Sequence, residues 1–328
     1  MLSFTTASHM RGSLFLMNHP PNHPRWVMLV HRSKDIICSS LMDRRSCMIL
    51  ITGATGNIGR ELIPLLLESG QSIRVLVRDE SKVAYLDACV ERAVGDLDKP
   101  ETLVAAVKGI EQIFLVTYET RQDVNVIEAA KKAGVRQIVK LSTLEATEHK
   151  IKVGKWHYER EELIRAAGFD WTFLRPGMFM SNSIQWWADS IKKQGSVFFP
   201  GGKKGKVAPI DLREVAEVAA LALTQAGHSG QAYTLTGSEL FTIGEMVQVI
   251  SQVFGKPIQY VNIPPIAAKL FMLKSGMDKA LVNALMEMLA SLRKNEGAIV
   301  TDTFQSLTGH PPRTFEAWCR EHMEAFRA

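Results

Sequence analysis

Cysteine is scarce in this chain. Its 328 residues include four, Cys38, Cys47, Cys89 and Cys319, and no two form a CxxC pair. At this length that usage argues against a disulfide framework and is the pattern of reduced thiols, so a cytoplasmic location is expected. Histidines with metal-ligand spacing are also lacking. His19 and His23 stand four apart, but Pro20, Pro21 and Pro24 forbid the helix that would align them, and no metal site is expected. No uninterrupted apolar stretch approaches the roughly 20 residues that span a bilayer, so no membrane partner is expected. Charge of one sign is in small excess, 39 basic residues against 34 acidic. Most of that excess lies in residues 1–47, which carry six basic residues and two acidic ones. The remainder is close to neutral and gives no electrostatic argument for nucleic-acid binding. Internal repeats and low-complexity tracts are missing as well.

Residues 1–47 show no hydrophobic periodicity and contain the tract Asn18-His-Pro-Pro-Asn-His-Pro24. They are expected to be a disordered N-terminal extension, with Met48 standing where the first strand begins. An upstream start codon would account for such a segment. A basic, acid-poor transit peptide is the alternative.

From Met48 onward the pattern alternates. Apolar runs of strand type occur at 48–52, 73–77, 93–94, 113–117, 138–142 and 171–174, with helical stretches at 60–69, 82–88, 101–108, 123–133 and 155–167 between them. Continuous apolar strands joined by helices imply a parallel sheet covered on both faces. Right-handed crossovers make it doubly wound, an α/β Rossmann fold. Pro64 is expected to kink the first helix. After Pro176 the alternation weakens. Helices are expected at 180–193, 212–224, 242–254, 265–273, 279–293 and 314–326, one strand at 232–236, and a solvated loop at 195–207. The expected organisation is therefore a nucleotide-binding domain over 48–178 and a smaller, mostly helical substrate-side domain over 179–328. Within the second, 210–237 could pack back on the sheet.

The most informative residues are Gly53-Ala-Thr-Gly-Asn-Ile-Gly59, between the first strand and first helix. A tight turn needs a residue without Cβ where φ is positive, and a backbone that must approach a phosphate needs the same. The helix N-terminus then supplies N–H donors and the positive end of its dipole. A strand before, a helix after and a second strand at βαβ distance make this a dinucleotide site. Gly53, Thr55, Gly56, Asn57, Ile58 and Gly59 are its candidate pyrophosphate ligands. The residue after the second strand selects the cofactor. It is Arg78, which can pair with a 2′-phosphate, so NADP(H) is expected over NAD(H). At the ends of the following strands stand Asp96 and Leu97, for the adenine, with a helix cap as the other role for Asp96. Thr117 is placed by the ribose and pyrophosphate, and Ser142 by the nicotinamide. Pro176 ends the next strand.

The Thr52–Gly59 turn, Arg78 and the Gly95-Asp96 pair resemble the short-chain dehydrogenase/reductase superfamily. The segments Ala129-Ala-Lys-Lys-Ala-Gly-Val135, Phe169-Asp-Trp-Thr-Phe-Leu-Arg-Pro176, Ile210-Asp-Leu-Arg-Glu-Val-Ala216, Tyr233-Thr-Leu-Thr-Gly237 and Leu307-Thr-Gly-His-Pro-Pro-Arg-Thr-Phe315 resemble its atypical NmrA-like branch. That branch holds NADPH-dependent quinone and dye reductases and members that only sense the dinucleotide. The resemblance implies a small-molecule substrate for an enzyme, or a protein partner for a sensor.

One departure bears on mechanism. Typical superfamily members carry Tyr-x-x-x-Lys with a Glu four further on. Counting back from Gly168, Glu161 matches that Glu, His157 the lysine and Val153 the tyrosine, so the tyrosine is missing. His157 and Glu161 share a helix face at i, i+4 and are the candidate catalytic pair, joined by a hydrogen bond. An ordinary cleft-edge His beside a surface Glu is the other reading. Without the tyrosine, a conjugated acceptor such as a quinone is a better substrate than a simple ketone. A sugar-nucleotide epimerase, which needs the Tyr/Lys pair, is disfavoured. Phe179 and Trp187 are candidate contacts to a planar substrate.

Overall fold

The structure, a computed structural model, describes residues 47–327. The expectation of a disordered extension lies outside the described residues, Cys47 excepted. Seven strands form the main sheet: β1 (Met48–Thr52), β2 (Ser72–Val77), β3 (Glu91–Val94), β4 (Gln112–Leu115), β5 (Gln137–Leu141), β6 (Asp170–Pro176) and β9 (Gln231–Leu235). Their order is β3-β2-β1-β4-β5-β6-β9, and every neighbouring pair is parallel. This is the doubly wound arrangement that the alternating pattern predicts.

Side chains of a strand point alternately to its two faces, and β1 shows why both must be apolar. Ile49 and Ile51 enter one core, with Leu62 and Leu66 of α1 (Asn57–Glu68) and Val215 and Ala219 of α6 (Leu212–Thr224). Leu50 enters the other, beneath α2 (Pro100–Ala106), α3 (Thr120–Ala133) and α4 (Lys152–Ala167). Each such Ile or Leu taken fully out of water contributes about 1.5–3 kcal/mol. Helix α1 runs on through Pro64, which is exposed. The carbonyl left unpaired by its missing N–H, that of Arg60, belongs to an exposed residue.

The remaining chain builds a third core. Trp187 and Ile191 of α5 (Asn182–Gln194), Val197 of β7 (Ser196–Phe199), Met246 and Ile250 of α7 (Ile243–Phe254) and Phe315 and Trp318 of α11 (Phe315–Glu321) pack together there. The loop expected at 195–207 contains two short strands, β7 and β8 (Lys206–Val207). They pair with β11 (Gln259–Asn262) and β10 (Phe241–Thr242). Between α7 and α11 come α8 (Pro265–Lys274), α9 (Lys279–Arg293) and α10 (Thr303–Thr308). Strand β9 and helix α6 return to the main sheet. The helix expected at 82–88 is only a 3-10 turn over Glu80–Val83, capped by Asp79. Among the described residues no helix is long and apolar enough to cross a membrane.

Candidate functional site

The glycine turn joins β1 to α1. Gly53 has φ of 71°, a left-handed conformation that costs a residue with Cβ about 1–2 kcal/mol. The Gly56 N–H donates to the Gly53 carbonyl at 2.9 Å and closes the bend. A Cβ on Gly56 would meet that carbonyl oxygen at 3.1 Å, and one on Gly59 would meet it at 2.4 Å. Gly59 therefore lets α1 lie against the turn, while Gly56 keeps its mouth clear. No side chain caps α1, and its first turn has no acidic residue. Its first helical hydrogen bond runs from the Arg60 N–H to the Gly56 carbonyl, 3.1 Å. The N–H groups of Asn57, Ile58 and Gly59 precede that bond and remain as donors. An uncapped, acid-free helix start above a cradle without Cβ fits a dinucleotide pyrophosphate. Thr55 lends its carbonyl to the Arg60 guanidinium at 3.0 Å, and the Ile58 side chain is buried in the core beneath. Thr52 fixes the turn against the end of β4, its hydroxyl accepting the Val116 N–H at 2.7 Å.

Arg78 follows β2 and is exposed. The neighbouring Asp79 carboxylate is turned away. It accepts the Ser81 N–H at 3.0 Å and the Ser81 hydroxyl at 2.7 Å, and these bonds hold its carboxyl below the usual range. A cation rather than an acid is thus left at the position that faces the adenosine ribose in this fold. Asp96 uses one carboxylate oxygen to accept the Asp98 N–H, 3.1 Å. It does not cap α2, whose N-cap is Lys99. Leu97 is half-buried against the α2–α3 core, and its carbonyl accepts the Asn125 amide at 2.8 Å.

Two buried ionic clusters lie under α4, where β4, β5 and β6 end. In the first, the Lys140 ammonium donates to Asp123 and to the Thr117 hydroxyl, each at 2.7 Å, and Thr117 itself donates to Asp123 at 2.8 Å. Lys140 and Asp123 are both wholly buried. Burial pulls the lysine down from its usual range, and the Asp123 carboxylate pulls it back. Arg160 of α4 reaches the Thr117 carbonyl at 3.3 Å, with its guanidinium 3.9 Å from Asp123. The Thr117 hydroxyl, expected toward the ribose, is therefore committed inward. In the second cluster Glu161, wholly buried, accepts Arg175 through Nε at 3.0 Å and through its terminal nitrogen at 2.5 Å. It also accepts the Ser142 hydroxyl at 2.6 Å and Arg165 at 3.3 Å.

This corrects the expected His157–Glu161 hydrogen bond. A planar, permanently charged guanidinium outcompetes a neutral imidazole for a buried carboxylate. Instead, the His157 Nδ1 is buried with no hydrogen-bond partner. Burial first, then the Arg160 and Lys140 charges, push its pKa down to about 2. With its pKa pushed that low, the ring carries no charge near neutral pH.

Pro176 closes β6 beside Leu235 of β9, and Phe179 is half-buried, bridging to Ile210. Trp187 is corrected to a core residue. It is 1% exposed and meets Phe199 edge-on, whereas its neighbour Trp186 is exposed and stacks on the same ring. Sequence reasoning missed Lys140, Asp123, Arg160 and Arg175. The available signal was Lys140 itself, a charge inside the apolar run Ile138-Val-Lys-Leu141. A depression of about 590 Å³ lined by Ser238, Thr301, Asp302 and Pro312 contains none of these residues. Among the described residues no cluster of His, Cys, Asp and Glu could hold a metal ion.

Comparison with known proteins agrees with this fold. Residues 45–311 match the model of the NmrA-like family. The chain is 38% identical over 287 residues to the NAD(P)H azoreductase of Xenophilus azovorans, covering 86% of this chain and 100% of the relative. The NADPH-dependent quinone oxidoreductase of Escherichia coli, solved with NADPH, superposes with a TM-score of 0.76 at 27% identity over 84% of this chain and 100% of that one. The Citrobacter sp. triphenylmethane reductase with NADP(H) gives 0.72 at 27% identity, over 84% and 99%.

Proposed function

This chain belongs to the NmrA-like family, and on that premise we propose that it is an NADPH-dependent reductase passing hydride to a small conjugated acceptor such as a quinone. The observation that carries the reading is the uncapped start of α1 over a cradle that a Cβ would fill. The N–H groups of Asn57, Ile58 and Gly59 hold the pyrophosphate, and Arg78 pairs with the 2′-phosphate. The named activities of the relatives, azo dye, quinone and triphenylmethane reduction, share one feature: the acceptor is conjugated. When bound, the cofactor supplies the hydride. The chain supplies binding and orientation, and its α4 carries the neutral His157 with valine, not tyrosine, at position 153. A simple ketone would leave an alkoxide with no acid to protonate it. A conjugated acceptor spreads the charge and takes its proton from water.

The test follows absorbance of the nicotinamide band with purified protein, NADPH and a panel of quinones and azo dyes. Oxidation with at least one acceptor is expected. NADPH binding without oxidation across the panel would overturn the enzyme reading in favour of a dinucleotide sensor that a partner protein reads.

A further inference from the structure

We propose that His157 acts as a fixed neutral hydrogen-bond donor, with its Nδ1 lone pair turned inward and its Nε2–H facing the cleft, where it stabilises the negative charge forming on the acceptor oxygen. This deepens the reductase reading and rests on it.

The argument starts from the ring's two edges. Nδ1 is buried and unpartnered, while the residue as a whole is only half-buried. Nε2 makes no hydrogen bond either, yet it is not among the buried unpartnered atoms, so it is the accessible nitrogen. A proton on Nδ1 would be a buried N–H with no acceptor, beside two cations; a lone pair there is attracted by the same cations. Those cations are fixed. Arg160, one helical turn on, is tied to the carbonyls of Trp156 at 3.0 Å and Thr117 at 3.3 Å. Lys140 is tied to Asp123 and Thr117.

The two buried carboxylates under α4 are each paired with a cation, although the second Asp123 oxygen, Oδ2, accepts no hydrogen bond. Asp123 of α3 is held by Lys140, and Glu161 of α4 by Arg175, Arg165 and Ser142. Glu145, in the turn before α4, accepts from Thr143, and Glu287 of α9 accepts the Lys152 N–H at 3.1 Å. The accessible edge of the ring therefore presents an N–H backed by the Lys140 and Arg160 charges. Such an edge favours a developing anion over a ribose hydroxyl, which gains no charge during reaction.

The electron balance is simple. The acceptor takes a hydride from NADPH, its C=O π pair moves to oxygen, and NADP⁺ remains. The oxyanion is held by Nε2–H and then protonated by water. His157 is never deprotonated.

Two measurements test this on the full chain. Long-range ¹H–¹⁵N correlation of ¹⁵N-histidine, assigned with His157→Ala, reads the tautomer without cofactor or turnover. A neutral ring protonated at Nε2, unchanged from about pH 5 to 8, is expected. Titration within that window, or a proton on Nδ1, overturns the proposal. In steady-state kinetics His157→Ala should lower kcat roughly 10²–10³-fold with little change in the dissociation constant for NADPH. His157→Gln, whose amide N–H replaces Nε2–H, should recover much of the loss. Equal losses in both variants, or weakened NADPH binding at unchanged kcat, contradict it. Failure of the reductase reading shows separately, as wild-type protein that oxidises no NADPH.

Discussion

The role proposed for Arg78 turns on its neighbour. Asp79 follows Arg78 in the chain, and its Oδ1 is engaged by the N–H and hydroxyl of Ser81. A charge-assisted pairing of Arg78 with a phosphate is worth roughly 1.5–3 kcal/mol. Arg78→Ala is therefore expected to shift the ratio of NADPH to NADH dissociation constants roughly ten- to hundred-fold toward NADH. Fluorescence titration of both cofactors checks it, and an unchanged ratio refutes the assignment. Arg78 was legible in the sequence because strand, turn and helix fix its place by counting. The fate of His157 was not. Spacing puts His157 and Glu161 on one helix face, but the guanidinium that claims the carboxylate comes from Arg175, on a strand fourteen residues further along the chain.

At the scale of elements, α4 is fastened to the sheet by ions as well as by apolar packing. Burying two charges is favourable only when each satisfies the other, and removing one partner leaves an uncompensated charge at a cost of about 3–5 kcal/mol. Lys140→Met is expected to lose stability on that order in urea denaturation, because Asp123 stays buried without its ammonium. Lys140→Met/Asp123→Leu should recover most of the loss; a double variant as unstable as the two single losses added would contradict the pairing. The elements themselves were readable wherever periodicity was sustained, as in α1, α3, α7 and α9. Shorter pieces were not. The four residues of β7 gain strand geometry only from β11, over sixty residues away, and the Lys-rich stretch beside them reads as loop. Trp187 was misplaced for a related reason. Adjacent tryptophans on a helix face different ways, and only the packing of α5 into the third core shows which is buried.

For the whole molecule, the sheet gathers Gly53, Arg78, Asp96, Thr117 and Ser142 along one edge, because parallel strands all end on the same side. The sequence order of apolar runs was enough to predict that convergence. The return of 210–237 to the sheet, expected as an option, is realised by β9 and α6, while the excursion through α5, β7 and β8 that precedes it was harder to read. The family assignment and the fold rest on that shared frame; the reaction rests on the turn. Gly56 is the position at which to test it. Its φ of −78° and ψ of 173° suit any residue, and a Cβ there meets the Gly53 carbonyl oxygen at 3.1 Å, so a side chain fills the cradle with only a small backbone shift. Isothermal titration calorimetry of NADPH against wild type and Gly56→Val is thus the most direct measurement. Heat of binding in the wild type and none in a variant that still melts cooperatively is the expected result. No heat in the wild type, or affinity retained by the variant, would mean that the backbone amides of this bend do not hold the pyrophosphate.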